Sequence, residues 1–590
     1  MDPVDAPHGF LVVLPADPTT GARGWPRPDA IGESSVWFHG HLTGAARLQT
    51  DLGLDTDASS ARIVEVGLRR WPDGTAEHIT GEYAAVVVRG STATLIGDRM
   101  GLRPLYIASL PGGTVVVSTD LGALARETRA WHDLDEDYLA DMFSSGLHLG
   151  AHTPYSSIRR LRIGEYAEFA AGRLRVRGGW RPRIDPIDGS FDDHQRALRT
   201  TVENAVAESL SSTRVPAAEL SGGLDTSTVL AVSTGITPMH AVSFVHPEHP
   251  GSDETAWMRA ALDTTPAVWH PINASAQGTF AAGPELGCFL PTPSRRILNW
   301  APAAAEEEVA RQAGISTLLT GEGGDAVFFA GLLPWYLADL LRAGRMRELR
   351  RQAAQWGEHS ELGRSPAFWV RRAAVDGVRR WRNGETLTLE PPRPFTTSAP
   401  WLNPAYVDAS HLSDRAQRTT PIRVGTVHGQ AVVENILRGA EFARSRHIFG
   451  SAGPELRHPL LAPAVVDLAM GTPWHIATDP RIDRAVQRYA FAGLVSETVL
   501  RRRSKPIADE AILQGFERYP RWADYLGTDP QVVERGYVDV GVWRDALRAI
   551  GRIGRVTQLY TAIQIEVWLR HLPHAGAPAL LTDDDVATAR

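Results

Sequence analysis

The residues best suited to nucleotide chemistry form a glycine-rich stretch, ELSGGLDTST, at positions 219–228. Two adjacent glycines let the backbone turn tightly and bring its N–H groups close to a ligand. Hydroxyl side chains follow at the start of a helix-compatible run, where anions bind readily. This pattern predicts a cradle for phosphate oxygens, with an ordinary strand-to-helix turn as the alternative. The predicted nucleotide-contacting residues are Ser221, Gly222, Gly223, Asp225, Thr226 and Ser227.

A second loop, LLTGEGGD at residues 318–325, offers similar residue types. Asp225 and Asp325 lie about 100 residues apart, and each stands in a loop that leaves a candidate strand. Mg2+ typically binds one or two carboxylates together with substrate phosphates, so the two aspartates predict a metal site, with a turn or cap role for each as the alternative. Glu322 is predicted to hold an incoming nucleophile or accept its proton, with N-capping of the next helix as the alternative. The spacing of both loops differs from GxxxxGK(S/T), which argues against a Walker-type NTPase.

Lys505 is the only lysine among the 61 Lys and Arg residues of the chain. Since arginine fills every other cationic position, a surviving ammonium indicates a site that needs a compact and mobile point charge. Chance survival at the surface is the alternative. The three arginines at residues 501–503 would repel one another unless anions lie near, and nucleotide phosphates are such anions. Lys505 is therefore a predicted catalytic residue.

Length, composition and net charge limit the classes of protein to which this chain can belong. A chain of 590 residues is long enough for two or three domains, and 43% hydrophobic with 22% charged residues is typical of a globular protein. The net charge of -7 argues against general nucleic-acid binding, which favours a basic excess. The sequence shows neither a signal-like start nor a run of about 18 apolar residues, so we expect a cytoplasmic protein without a membrane span. Cys288 is the only cysteine, which excludes intrachain disulfides and a cysteine-based zinc site.

The elements that must position these residues fall into two parts. Residues 1–182 contain short apolar runs bounded by Gly, Pro or Asp, which predict strands, among them residues 62–68. Residues 183–190 are rich in Pro, Asp and Gly and predict a linker. In residues 191–590, strand and helix patterns alternate before a long, mostly helical part at 335–450. Such alternation predicts a parallel sheet whose ligand lies beyond the carboxyl ends of the strands.

Two local patterns predict particular helices. Ser252, followed by Asp253 and Glu254, predicts an N-cap and an acidic first turn for a helix that ends at Leu262. The stretch LYTAIQIEVWLRHL at residues 559–572 predicts an amphipathic helix. Each prediction concerns an element outside the two glycine-rich loops.

Both loops resemble those of the asparagine synthetase-like ATP pyrophosphatases, whose motifs are SGGxDS and LSGEGxD. Residues 97–106, GDRMGLRPLY, are similar to the DRxGx(K/R)PLYY signature in the N-terminal domain of asparagine synthetases. Residues 455–461, ELRHPLL, are similar to the family motif ExRxPFLD, although Ala462 stands where the family usually has Asp. The resemblance implies an α/β protein with an N-terminal amidotransferase-like αββα sandwich. It also implies a C-terminal parallel-sheet ATP pyrophosphatase domain with a large helical part.

The resemblance also implies a reaction and its cofactors. Such enzymes bind ATP with Mg2+, cleave ATP between the α and β phosphates and leave AMP on a carboxylate. By this likeness Thr320 and Gly321 would line the nucleotide, and Phe244 would lie against the adenine. In ring-forming members of the family, a lysine at the position of Lys505 reaches the acyl-adenylate.

The predicted N-terminal domain lacks the nucleophile usual in its class. Glutaminases of this class use a cysteine exposed at the chain terminus after Met1 is removed, which combines a thiol with an α-amino base. Here position 2 is Asp2, and Cys288 lies in the other domain. We therefore expect an inactive glutaminase-like domain and no glutamine-dependent asparagine synthesis. Two ring-forming branches of the family share this loss, the β-lactam synthetases and the lasso peptide cyclases.

The GGD ending of the second loop, the length of 590 residues and a terminal helix carrying Glu566, Trp568, Leu569 and Arg570 look more like a lasso peptide cyclase. In β-lactam synthetases this loop resembles TGYGSD, whereas Glu322 and Gly324 replace its Tyr and Ser here. The likeness implies a macrolactam-forming ligase that acts on a leader-free core peptide, with a leader peptidase and a precursor-recognition protein as candidate partners. The alternatives are a small-molecule amide-forming or β-lactam-forming synthetase, an ammonia-dependent asparagine synthetase-like enzyme, and a catalytically inactive binding protein.

Overall fold

The computed structural model describes residues 9–16, 21–146, 148–389, 399–418, 422–447, 453–503, 515–548 and 557–575. The strands in these residues are β1 (Leu11–Leu14), β2 (Arg23–Trp25), β3 (Asp29–Ile31), β4 (Ser34–Leu42), β5 (Gly81–Arg89), β6 (Thr92–Gly97), β7 (Tyr106–Ser109), β8 (Val115–Ser118), β9 (Ile158–Arg160), β10 (Glu165–Ala170), β11 (Arg173–Gly178), β12 (Pro216–Glu219), β13 (His240–Val245), β14 (Val268–Asn273), β15 (Thr317–Leu319) and β16 (Glu455–Arg457). The helices are α1 (Ala45–Asp51), α2 (Ser60–Arg70), α3 (Thr75–His78), α4 (Leu121–Thr128), α5 (Glu136–Ser145), α6 (Phe191–Leu210), α7 (Leu224–Thr234), α8 (Thr255–Leu262), α9 (Trp300–Ala313), α10 (Gly324–Val327), α11 (Tyr336–Arg342), α12 (Met346–His359), α13 (Pro366–Trp369), α14 (Gly377–Asn383), α15 (Pro404–Ala409), α16 (Leu412–Arg415), α17 (Val427–Ser445), α18 (Pro463–Gly471), α19 (Trp474–Ala477), α20 (Ala485–Ala490), α21 (Glu497–Leu500), α22 (Arg521–Gly527), α23 (Gln531–Glu534), α24 (Val540–Arg548) and α25 (Thr557–His571). A π-helical segment (Val370–Asp376) joins α13 to α14, and short 3-10 turns occur at Pro111–Gly113, Ala130–His132, Arg295–Ile297, Pro459–Leu461 and Leu572–Ala575.

Two antiparallel sheets face each other in the first part of the described chain. One has the strand order β2-β1-β8-β7-β9 and the other has the order β11-β10-β6-β5-β4-β3. Side chains alternate across a strand, so Val115 and Val117 of β8 pack between the sheets while Val116 packs under the outer helices. Helices α1 and α2 cover the six-stranded sheet, and α4 and α5 cover the five-stranded one. This arrangement is the αββα sandwich that the sequence predicts.

Residues 62–68, which the sequence analysis predicts as a strand, belong to helix α2 instead. Ser59 caps this helix by accepting a hydrogen bond from the N–H of Arg62 at 3.3 Å. Ala61, Val64 and Leu68 are buried against the six-stranded sheet, and their intervals of three and four residues are those of one helix face. The strand prediction was wrong because it rested on a short apolar run and not on the period within that run.

A parallel sheet with the strand order β14-β13-β12-β15-β16 forms the core of the second part. Ala218 of β12 pairs with Leu319 of β15, which pairs in turn with Arg457 of β16. The residues that follow these three strands therefore meet at one edge of the sheet. Helices α6 and α7 pack on one face and α9 on the other. The predicted parallel-sheet domain with a large helical part is confirmed, and both glycine-rich loops lie at the carboxyl edge of its strands, where ligands bind in sheets of this kind.

Helix α8 begins later than the sequence predicts and without the predicted cap. Its first residue is Thr255, and the hydroxyl of Ser252 is buried without capping it. The carboxylate of Asp253 instead accepts hydrogen bonds from the Thr255 hydroxyl at 2.6 Å and from the His246 N–H at 3.1 Å. An ionised carboxylate is a stronger acceptor than a hydroxyl, so the local turn forms around Asp253.

Helix α25 is enclosed on nearly all sides, and the prediction that it is amphipathic was wrong. Leu559, Ile563 and Trp568 are fully buried, and so is Glu566. The Glu566 carboxylate accepts a hydrogen bond from the Val532 N–H at 2.8 Å, which satisfies its buried charge in part. The helix is covered because it packs against α5 of the sandwich as well as against α22 and α23. The sequence of a helix does not show how many other helices will pack around it in the folded protein.

Two ion pairs, of which Arg160–Glu441 is buried, join the sandwich to the second part. Arg160 donates two hydrogen bonds to Glu441, at 2.9 and 2.8 Å. Arg103 donates to Glu455 and to the carbonyl oxygen of Leu456, each at 3.2 Å. Breaking one buried pair typically costs about 3–5 kcal/mol. The two parts are therefore held in a defined relative position.

Candidate active site

The first glycine-rich loop connects β12 to helix α7. Gly222 has φ +74°, and a Cβ atom at this position would come within 2.7 Å of the Cβ of Trp257, so the turn requires glycine. The hydroxyls of Ser221 and Thr226 lie 3.0 Å apart, and the Gly223 N–H donates to the Ser221 hydroxyl at 3.3 Å. No described side chain caps α7, which leaves its first N–H groups available to an anion.

The second loop lies directly on the first. A Cβ atom at Gly321 would stand 2.8 Å from the Cγ2 of Thr226, and one at Gly324 would stand 2.4 Å from the Cγ of Asp225. Both distances are shorter than any van der Waals contact. The glycines of the second loop therefore allow two segments that are distant in sequence to touch.

Asp225 and Asp325 bind the same guanidinium group. Arg484 donates from Nη1 to both carboxylate oxygens of Asp225, at 2.8 and 2.9 Å, and its Nη2 lies 2.8 Å from Asp325 Oδ1. Gln487 adds a hydrogen bond to Asp225 at 3.0 Å. Burial raises the pKa of Asp225, Arg484 opposes that change, and the negative charge of Asp325 adds to it. The two carboxylates are thus close enough to compete for, and to share, one cation.

The two loops border a cavity of about 640 Å3. Four arginines contribute to its wall, namely Arg484, Arg488, Arg502 and Arg503. Arg502 donates to the carbonyl oxygen of Gly222 at 3.0 Å and pairs with Glu254, which ties it to the first loop. Guanidinium groups around an open helix N-terminus are well suited to bind phosphate oxygens.

Glu322 lines the same cavity, beside a second cluster of acidic residues. Arg446 pairs with Glu219 and, at 3.3 Å, with Glu306. Burial raises the pKa of Glu322, an effect that Arg446 opposes. Burial also raises the pKa of Glu306 to about 7. A carboxyl group whose pKa is raised by burial, as those of Glu322 and Glu306 are, is better suited to proton transfer near neutral pH.

Comparison with known sequences decides the family. The asparagine synthase family profile matches residues 197–570, which include both loops, and the glutamine amidotransferase domain profile matches residues 36–180. The chain belongs to the asparagine synthase family. Members of this family are ATP-dependent ligases that form amide bonds, and the enzymes generally use Mg2+.

Individual relatives of the asparagine synthase family are distant. Glutamine-hydrolysing asparagine synthetase 3 of Bacillus subtilis (strain 168) is 19% identical over 459 residues, which cover 74% of this chain and 68% of that protein. A Mycobacterium bovis (strain ATCC BAA-935 / AF2122/97) protein, designated a glutamine-hydrolysing asparagine synthetase, is 24% identical over 517 residues, with 83% and 75% covered. The B. subtilis glutamine phosphoribosylpyrophosphate amidotransferase, complexed with ADP and GMP, has 13% identity and a TM-score of 0.22 over 54% of this chain and 85% of that one.

The residues at the cavity fit the ATP and divalent ion that the asparagine synthase family uses. The carboxylate oxygens of Asp225 and Asp325 are the ligand type that Mg2+ prefers. The hydroxyl of Ser227 has no hydrogen-bond partner among the described residues, but Ser227 is buried in helix α7 and is not one of the described residues that line the cavity. The glycines at the two loops leave the backbone accessible to a close-lying phosphate. Asp225, Asp325, Ser221 and Thr226 would hold these groups, and their individual roles remain predictions.

Three further residues that the sequence predicts at the site are Thr320, Phe244 and Lys505. Thr320 is fully buried, and its hydroxyl accepts a hydrogen bond from the Glu322 N–H at 3.2 Å, so it shapes the second loop. Phe244 packs against the apolar cluster that includes Ala217 and Ile272, on the α9 side of the sheet, and is not among the described residues that line the cavity. Lys505 lies outside the described residues.

Arg484, Gln487 and Arg446 are site residues to which the sequence analysis assigns no role. Arg484 and Asp225 are separated by 259 positions in the chain. Because nearly all cationic residues of this protein are arginines, the composition does not indicate which arginine belongs to the site.

Every helix among the described residues is too short or too polar to cross a bilayer.

Proposed function

We propose that this protein is an ATP-dependent, AMP-forming ligase that closes a macrolactam ring in a peptide. One observation carries the proposal: paired carboxylates, an open helix N-terminus and four arginines border one cavity, with Glu322 in its wall. Family membership supports the ATP-dependent amide chemistry. Two sequence features favour ring closure within this family: no cysteine follows Met1, and Glu322 and Gly324 replace the Tyr and Ser of the β-lactam synthetase loop.

The N-terminal sandwich also fits a ligase that does not take ammonia from glutamine. The only cysteine in the sequence, Cys288, lies outside residues 36–180, which match the amidotransferase domain. Cys288 is half-buried among apolar side chains, and burial raises the pKa of its thiol. A thiol with a raised pKa is a weak nucleophile at neutral pH. The amine is therefore proposed to come from the substrate itself.

In the proposed reaction, an Asp or Glu side chain of a leader-free core peptide attacks the α phosphorus of ATP, and pyrophosphate leaves. The α-amine of the same peptide then attacks the acyl carbon, and AMP leaves with the electron pair of the broken C–O bond. Bound Mg2+ would supply charge neutralisation at the phosphates. A leader peptidase and a precursor-recognition protein are the proposed partners, since the peptide must arrive without its leader.

The residues of the cavity, together with Lys505, would have three tasks in this reaction. Arg488 and Arg502 would stabilise negative charge that develops on the phosphates, and Lys505 would do so near the reacting carbonyl. Glu322 would hold the amine or take its proton. An α-amine has a reference pKa of about 7.7–8.0, so a sizeable fraction is neutral near pH 7.5. Holding the peptide with its two ends together is therefore the larger contribution to the rate.

ATP–pyrophosphate exchange tests the function. The probe is a synthetic peptide with a free α-amine and one internal aspartate, and the comparison compound is L-aspartate. We expect exchange with the peptide and a product lighter by one water in its mass spectrum. The same peptide with an acetylated N-terminus should support exchange but give no ring, and its Asp-to-Asn version should support neither.

The same assay separates the alternatives. Exchange that responds to L-aspartate, with amide formation when ammonium is added, would indicate a small-molecule amidating enzyme. Absence of exchange with both compounds, in the presence of ATP and Mg2+, would contradict the ligase function for these substrate classes.

A further inference from the structure

A separate cavity of about 350 Å3 lies where the N-terminal sandwich meets helix α17, and we call it the junction cavity. Arg160, Ile163 and Trp180 line it from the sandwich side, and Leu437 and Arg444 line it from α17. None of the described residues that line it also lines the cavity at the two glycine-rich loops. Its volume is that of a small-molecule site, which is typically about 300–1,000 Å3.

The wall of the junction cavity carries an excess of positive charge. Among the described residues that line it, one is acidic, Glu165, and this residue is already paired with Arg162 at 2.6 Å. Five are arginines, namely Arg160, Arg162, Arg181, Arg423 and Arg444. A wall with this balance of charge favours an anionic ligand.

Two of these arginines are buried and share one carboxylate. Arg160 is 6% exposed and Arg444 is 4% exposed. Arg160 donates to both oxygens of Glu441, at 2.9 and 2.8 Å, and Arg444 donates to one of them. Burial lowers the pKa of Arg444 and repulsion by Arg160 lowers it further, while Glu441 opposes both effects. A second anion beside the two guanidinium groups would relieve their repulsion.

Two buried donors in the same wall have no acceptor among the described residues. They are Nε of Arg444 and Nε1 of Trp180, a residue that is 7% exposed. Buried N–H groups are nearly always paired in folded proteins. Two such donors on residues that line one cavity therefore indicate a place for an acceptor.

We propose that the junction cavity binds an organic carboxylate with an apolar body. A carboxylate is planar and accepts two parallel hydrogen bonds from a guanidinium group, as Glu441 does from Arg160. Leu149, Ile163 and Leu437 contribute apolar side chains to the wall, which favour a ligand with an apolar part. Inorganic phosphate is strongly hydrated and has no apolar part, so it fits this wall less well.

The junction cavity and the second glycine-rich loop lie on different sides of α17. Leu437 and Arg444 are seven residues apart and share one face of the helix. Gly439, two residues after Leu437, faces the loop, where a Cβ atom on it would stand 3.3 Å from the Cα of Gly323. The carboxylate should therefore bind whether or not ATP and Mg2+ are present. The inference does not depend on the proposed function.

Fluorine NMR of para-fluorophenylacetate, observed on the ligand, tests the inference. The full chain should bind this probe with a dissociation constant of about 1 mM or lower. An excess of ATP with Mg2+ should not displace it, and neither should an about tenfold excess of inorganic phosphate. The neutral para-fluorophenylacetamide has nearly the same shape but no charge, and it should not bind detectably.

Arg444→Met should lower the affinity for the probe by about 20-fold or more, because it removes a buried guanidinium. It leaves Glu441 paired with Arg160 alone, so the buried charges balance. Arg181→Met, at an exposed position of the wall, should lower the affinity by about threefold without changing the melting temperature. The matched control is Arg503→Met, which removes a 68% exposed side chain from the catalytic cavity and should leave probe affinity unchanged.

Displacement of the probe by ATP, or loss of binding in Arg503→Met, would place the carboxylate in the catalytic cavity and overturn the inference. Binding of the neutral amide as tight as that of the acid would overturn it too, as would equal affinities in wild type, Arg444→Met and Arg181→Met.

Peptides distinguish the two sources of such a carboxylate. If a peptide with a free C-terminal carboxylate displaces the probe and its amidated form does not, the ligand is a peptide terminus. If neither peptide displaces a probe that binds as expected, the ligand is a free organic acid. Each result supports carboxylate binding at the junction cavity, and neither requires pyrophosphate exchange.

Discussion

Asp225 and Asp325 share the guanidinium of Arg484, which lies 2.8 Å from an oxygen atom of each. Arg484 has a left-handed backbone conformation, with φ 57°, immediately before helix α20. An arginine in this conformation costs about 1 kcal/mol relative to glycine, so the contacts of its side chain offset that cost. The guanidinium stands between the two carboxylates that are predicted to bind Mg2+.

Arg484→Met should therefore raise the affinity of the protein for Mn2+ in the absence of nucleotide, by about tenfold or more. Without the guanidinium, two close carboxylates repel each other, and a divalent cation relieves that repulsion. Electron paramagnetic resonance of free Mn2+, titrated with protein near pH 7.5, measures the change. A second substitution, Asp325→Asn, in the Arg484→Met protein should abolish the increase in Mn2+ affinity.

Arg481→Met is the control for the Mn2+ experiment. Arg481 pairs with Asp479 on the surface of the same segment, at 2.7 Å and with 71% of its side chain exposed. Its loss should leave Mn2+ affinity unchanged. Unchanged affinity in Arg484→Met as well would show that Asp225 and Asp325 do not form a metal site.

Gly324→Ala should reduce pyrophosphate exchange by about 100-fold, because displacement of a catalytic group by about 1 Å can cost that much. The added Cβ atom would lie 2.4 Å from the Cγ of Asp225 and force the loops apart. Gly527→Ala, at the end of helix α22, places its Cβ in open space and should leave exchange unchanged. Equal exchange rates in the two variants would contradict the close approach of the loops.

Lys505→Ala should abolish ring closure with little change in fold. The role of the lysine follows from its being the only one in the chain and from its place after three arginines. Mass spectrometry of the peptide product measures ring closure, and circular dichroism with a melting curve reports the fold. Arg501→Ala, which removes a side chain that is 84% exposed, is the matched control. A near-normal rate in Lys505→Ala would remove the catalytic assignment.

Glu434→Gln should stabilise the protein at alkaline pH. Glu434 is buried on helix α17, and burial raises its pKa to about 7. A raised folded-state pKa favours the protonated form, so the stability linked to this group is present below its unfolded pKa and lost as the pH rises through about 7. The amide cannot ionise and avoids that loss.

Urea unfolding at pH 5 and pH 8 measures this effect. We expect little change in the free energy of unfolding at pH 5 and a gain of up to about 3 kcal/mol at pH 8. Glu203→Gln, which removes one partner of an exposed pair with Arg199, should show no such pH dependence. A gain that is equal at both pH values would mean that ionisation of Glu434 is not its cause.

Local signals in the sequence were sufficient for the fold class and the family. Strand patterns that end in SGGLDTS and TGEGGD predict two loops at the carboxyl edge of a parallel sheet, because glycine pairs and helix starts have a characteristic local geometry. The same kind of reasoning failed at residues 62–68, where the length of an apolar run was given more weight than its period. It also failed for α25, whose surroundings depend on distant helices.

The amino-acid sequence by itself established that the chain has a single lysine, and it predicted a phosphate-binding loop and two metal-binding aspartates. Only the tertiary structure decided that Arg484 lies between Asp225 and Asp325, and that Glu82 reaches His458 across 376 positions of the chain. The physical reason is that local patterns report on neighbouring residues, whereas charge pairing depends on the path of the whole backbone. In a chain with so many arginines, the path of the backbone alone decides which guanidinium group pairs with which carboxylate.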